Sequence, residues 1–122
     1  MEYVFICYAG MNRSPVAADV ARNLADKYNI KGFSAISCGI AGLFSINSDS
    51  VRKRLNMADV IFALDLEIAD DLIKNGISPQ KIHNLDIEDI YPIREYPELR
   101  KELEGILIEK LEPFFVKGLC VN

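Results

Sequence analysis

Cys7, Arg13 and Ser14 stand in the run Cys7-Tyr8-Ala9-Gly10-Met11-Asn12-Arg13-Ser14-Pro15, with five residues between the cysteine and the arginine. That spacing allows a tight loop. Successive backbone N–H groups in such a loop converge on one point and cradle an oxyanion. A helix that starts just after the loop adds free N–H groups and the positive end of a dipole. Arginine supplies a planar fork that grips two oxygens of one phosphate. A thiol in the same field ionises readily and becomes a nucleophile toward phosphorus. The Ser14 hydroxyl is a donor for that sulfur. Tyr8, Ala9, Gly10, Met11, Asn12, Arg13 and Ser14 therefore form a candidate phosphate-binding loop, with Cys7 as its nucleophile. Packing alone often buries a thiol at a strand end, but it gives no reason for Arg13-Ser14-Pro15 at this offset.

For the loop to work, a strand must lead into it and a helix must lead out. Residues 3–7, Tyr-Val-Phe-Ile-Cys, form a continuous apolar run rich in β-formers and predict a buried strand. Ser14 is placed as N-cap and Pro15 as first helical residue. Val16, Val20, Leu24 and Tyr28 recur every four positions, with Ala17 and Ala21 beside them, and predict one face of a helix to about Tyr28. Further strands are predicted at 32–38, 58–64 and 80–85, and further helices at 49–56 and 66–75. A last helix opens at Tyr96-Pro97-Glu98, carries Leu99, Leu103, Ile106, Leu107 and Leu111 on one side, and should end or kink at Pro113. The alternation of strands and helices predicts an α/β fold. The expected architecture is a single-domain three-layer sandwich over residues 1–122. Its four-stranded sheet is parallel, with helices on both faces. Residues 116–122 are expected to form a mobile tail. In such sheets ligands bind beyond the carboxyl ends of the strands, which is where the loop at 8–13 falls.

The chain has 122 residues, 50% hydrophobic and 26% charged, with a net charge of −4. This is an ordinary globular balance. The charge is uneven: residues 1–60 carry +2 and residues 61–122 carry −6. An acidic chain argues against nucleic acid as partner. No apolar run reaches the roughly 18–20 residues of a membrane span, so no membrane partner is expected. The start Met1-Glu2-Tyr3 lacks the basic region of a secretory signal. Three cysteines, Cys7, Cys38 and Cys120, form an odd count without metal-ligand spacing. A cytoplasmic, reducing setting is expected.

The loop resembles that of the low-molecular-weight protein tyrosine phosphatases, whose pattern is C-x5-R-S, often with Pro next. Ser37-Cys38-Gly39 sits where that family has Ser-Ala-Gly, and Met57-Ala58-Asp59-Val60-Ile61-Phe62 resembles its third strand. Leu85-Asp86-Ile87-Glu88-Asp89-Ile90-Tyr91 followed by Pro97-Glu98-Leu99 is similar to a short branch usually called predicted protein tyrosine phosphatases. That branch carries L-D-I-P-D-x-Y and then P-E-L. The resemblance spans about residues 2–115 and implies the strand order 2-1-3-4 for the four-stranded sheet.

The resemblance implies a cofactor-free and metal-free phosphomonoesterase acting on a phosphotyrosine protein or a small aryl phosphate. Inorganic phosphate would be product and inhibitor. Cys7 would form a phosphocysteine, Arg13 would bind phosphate, and Asp89 would protonate the leaving group. Ser14, Ser37, Asp86 and Tyr91 would support the site, Asp86 by holding its loop through backbone N–H groups. Asp89 is preferred to Asp86 as the acid because Asp89-Ile90-Tyr91 matches the family's Asp-Pro-Tyr. The sequence departs from the family at Ala9-Gly10-Met11-Asn12, where Gly-Asn-x-Cys is frequent, and in a shorter stretch at 40–56. Gly10 provides the positive φ that the family's Asn otherwise adopts.

Three other readings compete. The first is a phosphate-binding module of the same fold without turnover, and the second an arsenate reductase-like thiol enzyme. The third, a phosphocarrier, is disfavoured because Arg13-Ser14 suits hydrolysis. His83, the only histidine, is read as a structural or surface residue. Cys38 is read as a buried thiol, Arg52-Lys53-Arg54 as a solvated helix face, and Phe44 as a pocket wall or core residue.

Overall fold

The computed structural model describes residues 1–44 and 48–116. Its elements run β1 (Glu2–Cys7), α1 (Arg13–Lys27), β2 (Ser34–Gly39), α2 (Ser48–Asn56), β3 (Val60–Ala63), α3 (Leu66–Lys74), a 3-10 turn (Pro79–Lys81), β4 (Ile82–Asn84) and α4 (Leu99–Val116). The four strands form one sheet in the order β2-β1-β3-β4. Every pairing is parallel, with Cys7 opposite Gly39 and Phe5 opposite both Ser37 and Phe62. Parallel neighbours demand helical crossovers, and right-handed crossovers put helices on opposite faces where the strand order reverses at β1. α1 and α4 pack together on one face. Arg100 of α4 reaches Asp19 of α1 at 2.9 Å, and Lys27 reaches Glu112 at 2.7 Å.

The periodicities show why these segments fold as they do. All of β1 beyond Glu2 is buried, as a central strand covered on both sides must be. Val16, Val20 and Leu24 of α1 and Leu103, Leu107, Leu111 and Phe115 of α4 are buried at four-residue spacing. Tyr3, Phe33, Phe62 and Phe115 meet edge-on, and Phe5 stacks on Phe62 with centroids 5.0 Å apart. Tyr3, Phe5 and Cys7 alternate onto one face of β1. The aromatic cluster thus anchors the strand whose last residue is the candidate nucleophile.

Several boundaries differ from the sequence reading. α1 begins at Arg13, with Asn12 at the N-cap position making no side-chain cap. Ser14 is therefore inside the first turn and not the cap, and its hydroxyl faces the ends of β1 and β2. α4 runs through Pro113 to Val116 instead of stopping there. Phe115, packed on Tyr3 and Phe33, holds that last turn against the missing hydrogen bond. β3 and β4 are shorter than predicted, and the turn at Pro79–Lys81 replaces the start of the fourth. Cys120 and the tail beyond Val116 lie outside the described residues. Among the described residues no helix is long and apolar enough to cross a membrane.

Candidate active site

The carboxyl ends of β1, β2 and β3 converge on the loop at residues 8–12. Gly10 takes φ of 73°, a conformation that side chains with a Cβ rarely adopt. A Cβ there would lie 2.7 Å from Gly39 N, and a Cβ on Gly39 would lie 2.5 Å from the Ala9 carbonyl carbon. The two glycines let the loop rest directly on the end of β2. Ile40 N–H donates to the Cys7 carbonyl at 2.8 Å and Ala41 N–H to that of Tyr8 at 2.9 Å, fixing the loop's base.

Cys7 is 3% exposed. Gly10 N–H donates to its Sγ at 3.1 Å, and Ser14 Oγ lies 3.0 Å from the sulfur. The same hydroxyl is 3.3 Å from the Cys38 carbonyl. A serine has one hydroxyl proton. While Cys7 is a thiol, its proton can go to Ser14, and Ser14 donates to Cys38. When the sulfur is anionic, the Ser14 proton turns to it.

Arg13 is 1% exposed, although it is an arginine. Its Nη1 donates to Asp65 Oδ2 at 2.8 Å and to the Ile87 carbonyl at 2.7 Å. Asp65 is the N-cap of α3, where its other oxygen accepts Ile68 N–H at 3.1 Å. The Ile87 carbonyl is presented because the chain after β4 continues along β3. Leu85 N–H bonds to Ala63 and Ile87 N–H to Leu64. Two residues on, Asp89 places Oδ1 3.5 Å from Arg13 Nε.

A small pocket at the loop is lined by Cys7, the loop residues Tyr8, Ala9, Met11 and Asn12, and by Arg13 and Asp89. It shares Tyr8, Arg13 and Asp89 with a cleft of about 350 Å³. Asp65, Glu67, Asp70, Asp71 and Asp89 line that cleft against only Arg13 and Lys74. Tyr8, exposed at 62%, stands at its edge.

The structure brings Cys7, Arg13, Ser14 and Asp89 together around the loop. Asp86 is elsewhere. Its φ of 55° turns it away, and it lines a separate depression with His83, Asn84, Lys110 and Phe114. The expected loop-holding contact is made by Asn84, whose side chain accepts Asp86 N–H at 2.8 Å. Ser37 is exposed on the edge strand β2, one residue before the carbonyl that Ser14 uses. Tyr91 is buried in the core and absent from the cleft lining, and Phe44 is partly buried against the core. His83 lies between Phe62 and Phe114, with centroids 5.7 and 5.5 Å away, and its burial lowers its pKa. Arg54 forms a two-pronged ion pair with Glu2, and Arg52 pairs with Asp49. Asp65 and the Ile87 carbonyl were not singled out in the sequence. Asp65 left a signal there: it ends the apolar run of the third strand and stands three residues before Ile68, the spacing of an N-cap.

No family model matches the sequence, and no curated protein matches it. Solved structures do. A protein tyrosine phosphatase from Entamoeba histolytica superposes with a TM-score of 0.74 at 18% identity, covering 96% of each chain. A low molecular weight protein tyrosine phosphatase from Bacillus subtilis gives 0.68 at 18% identity over 93% of this chain and 98% of that one. The YwlE arginine phosphatase from Geobacillus stearothermophilus gives 0.64 at 19% identity over 96% and 94%. This chain therefore has the low-molecular-weight protein tyrosine phosphatase fold over nearly its whole length.

Proposed function

We propose that this protein is a metal-independent phosphomonoesterase that works through a phosphocysteine on Cys7. The observation that carries the reading is the surroundings of its sulfur. Cys7 Sγ receives Gly10 N–H and faces the Ser14 hydroxyl, at the base of a pocket whose wall includes Arg13 and Asp89. In the first step the Cys7 thiolate attacks phosphorus, an S–P bond forms and the ester P–O bond breaks. Asp89 gives its proton to the departing oxygen. In the second step water attacks phosphorus, Asp89 takes the water's proton, and inorganic phosphate leaves with the thiolate restored. Loop amides and Arg13 hold the equatorial oxygens, where phosphoryl transfer spreads its charge. The substrate is a phosphotyrosine protein or a small aryl phosphate, with the exposed Tyr8 available to stack on an aryl ring. A thiol nucleophile works in a reducing compartment, so we place the protein in the cytoplasm.

The test is hydrolysis of an aryl phosphate by the wild type and by Cys7→Ser, with and without a chelator. Chelator-resistant turnover lost in Cys7→Ser supports the reading. Phosphate binding without turnover would leave a recognition module. Turnover that needs a divalent ion would overturn the mechanism.

One observation favours a second substrate. Five carboxylates line the cleft next to the phosphate loop, a setting that attracts a cation beside the phosphoryl group. Phosphoarginine carries a guanidinium there, and one of the similar folds belongs to an arginine phosphatase. Relative kcat/KM on phosphoarginine and phosphotyrosine peptides decides between them.

A further inference from the structure

We propose that Asp89 has a second role: in the phosphate-free protein it competes for the edge of Arg13 that an oxyanion needs, and so weakens the site's hold on inorganic phosphate. The inference rests on Arg13 being the phosphate-binding residue. A guanidinium has five N–H groups, two on each terminal nitrogen and one on Nε. Both donors of Nη1 are committed, to Asp65 and to the Ile87 carbonyl. An oxyanion bound through two parallel N–H groups needs one whole edge. The edge shared by Nη1 and Nη2 is half used, which leaves the edge shared by Nε and Nη2.

Asp89 places Oδ1 3.5 Å from Nε, one of the two nitrogens of that remaining edge. The Arg13 side chain is 2% exposed and that of Asp89 is 60% exposed. Arg13 and Asp89 both border the small pocket at Cys7 and the wider cleft. The two carboxylates differ in how firmly they hold. Asp65 is tied on both oxygens, to Arg13 and to Ile68 N–H. Asp89 is solvated, and 3.5 Å exceeds a normal charge-assisted hydrogen bond. It is built to yield, but a bound phosphate dianion must displace it and then sit against its charge. Removing that charge while keeping the shape should tighten phosphate binding about three- to tenfold, the scale of one solvated ion pair with added like-charge repulsion.

The experiment is calorimetric titration of inorganic phosphate into wild type, Asp89→Asn, Asp86→Asn and Arg13→Lys, backed by phosphate inhibition of aryl phosphate hydrolysis. Asp86→Asn removes the same charge three residues earlier, facing a different depression. The expected result is tighter binding in Asp89→Asn alone. Equal or weaker binding in Asp89→Asn overturns the proposal. So does a gain of the same size in Asp86→Asn, since that marks a general field effect. Wild type that binds no phosphate, or Arg13→Lys that binds it equally well, would remove the phosphate-site reading itself. Failure at that level is separable from failure of the competition.

Discussion

Asp65 holds Arg13 and caps α3 with a single carboxylate: Oδ2 accepts from Arg13 Nη1 at 2.8 Å, and Oδ1 accepts Ile68 N–H at 3.1 Å. Arg13, the proposed phosphate ligand, is thereby tied to the start of a helix on the neighbouring crossover. A buried guanidinium left without such a partner would be costly. Asp65→Ala should lose the cap, about 1 kcal/mol, and leave Arg13 with one neutral acceptor and the solvated Asp89. We expect a lower Tm and weaker phosphate binding together, with Asp65→Asn intermediate in both. A variant with lowered Tm and unchanged phosphate affinity would show that Asp65 serves the helix alone.

Gly39 tests the contact between the loop and β2. A methyl group there would sit 2.5 Å from the Ala9 carbonyl carbon and 2.6 Å from Gly10 N, both backbone atoms with no side-chain freedom. Overpacking of this kind costs about 1–3 kcal/mol. Gly39→Ala should remain folded by circular dichroism while its kcat/KM on an aryl phosphate falls by about two orders of magnitude, the scale of one lost oxyanion donor. Near-wild-type activity would mean that the loop tolerates displacement.

Asp86 and Asp89 lie apart in the structure, and we expect kinetics to separate their roles in the same way. Asp89→Asn should lower kcat strongly for a poor leaving group such as phenol and much less for an activated nitrophenol. Asp86→Asn should leave both rates near wild type. Leaving-group dependence in Asp86→Asn, with none in Asp89→Asn, would reverse the assignment.

Alkaline stability follows from two groups, Tyr3, which is buried, and Cys38, which the sequence placed as buried but which is only partly so. Burial pushes the Cys38 thiol up to about 11 from 9.0, with Cys7 adding to it, and Tyr3 up to about 12 from 10.0, with Asp59 adding to it. Each holds its proton to higher pH in the folded chain than in the unfolded one. Their contribution is thus complete below pH 9 and is lost as pH rises through the folded values. Urea unfolding should give constant stability up to about pH 9 and a decline from there toward pH 12. In Cys38→Ala the decline between 9 and 11 should flatten. An unchanged curve in that variant would assign the loss elsewhere.

By itself the sequence determined the alternation of strands and helices, the sheet order through its resemblance, and the loop from Cys7 to Ser14. These are local properties. Continuous apolar strands, four-residue helical periods and a fixed Cys-to-Arg spacing are written in neighbouring residues. Tertiary structure decided what touches what across long separations. Arg13 meets Asp65 and Ile87 over 52 and 74 residues of chain. A capping aspartate reads the same in sequence whether or not an arginine also reaches it. Asp86 and Asp89 are three residues apart in one acidic segment, and only the left-handed turn at Asp86 sends one away and leaves the other at the mouth of the loop. Ser14 has the composition of a helix cap and the position of a sulfur ligand. Which of the two it becomes depends on acceptors from β1 and β2, which lie beside it only after the sheet has formed.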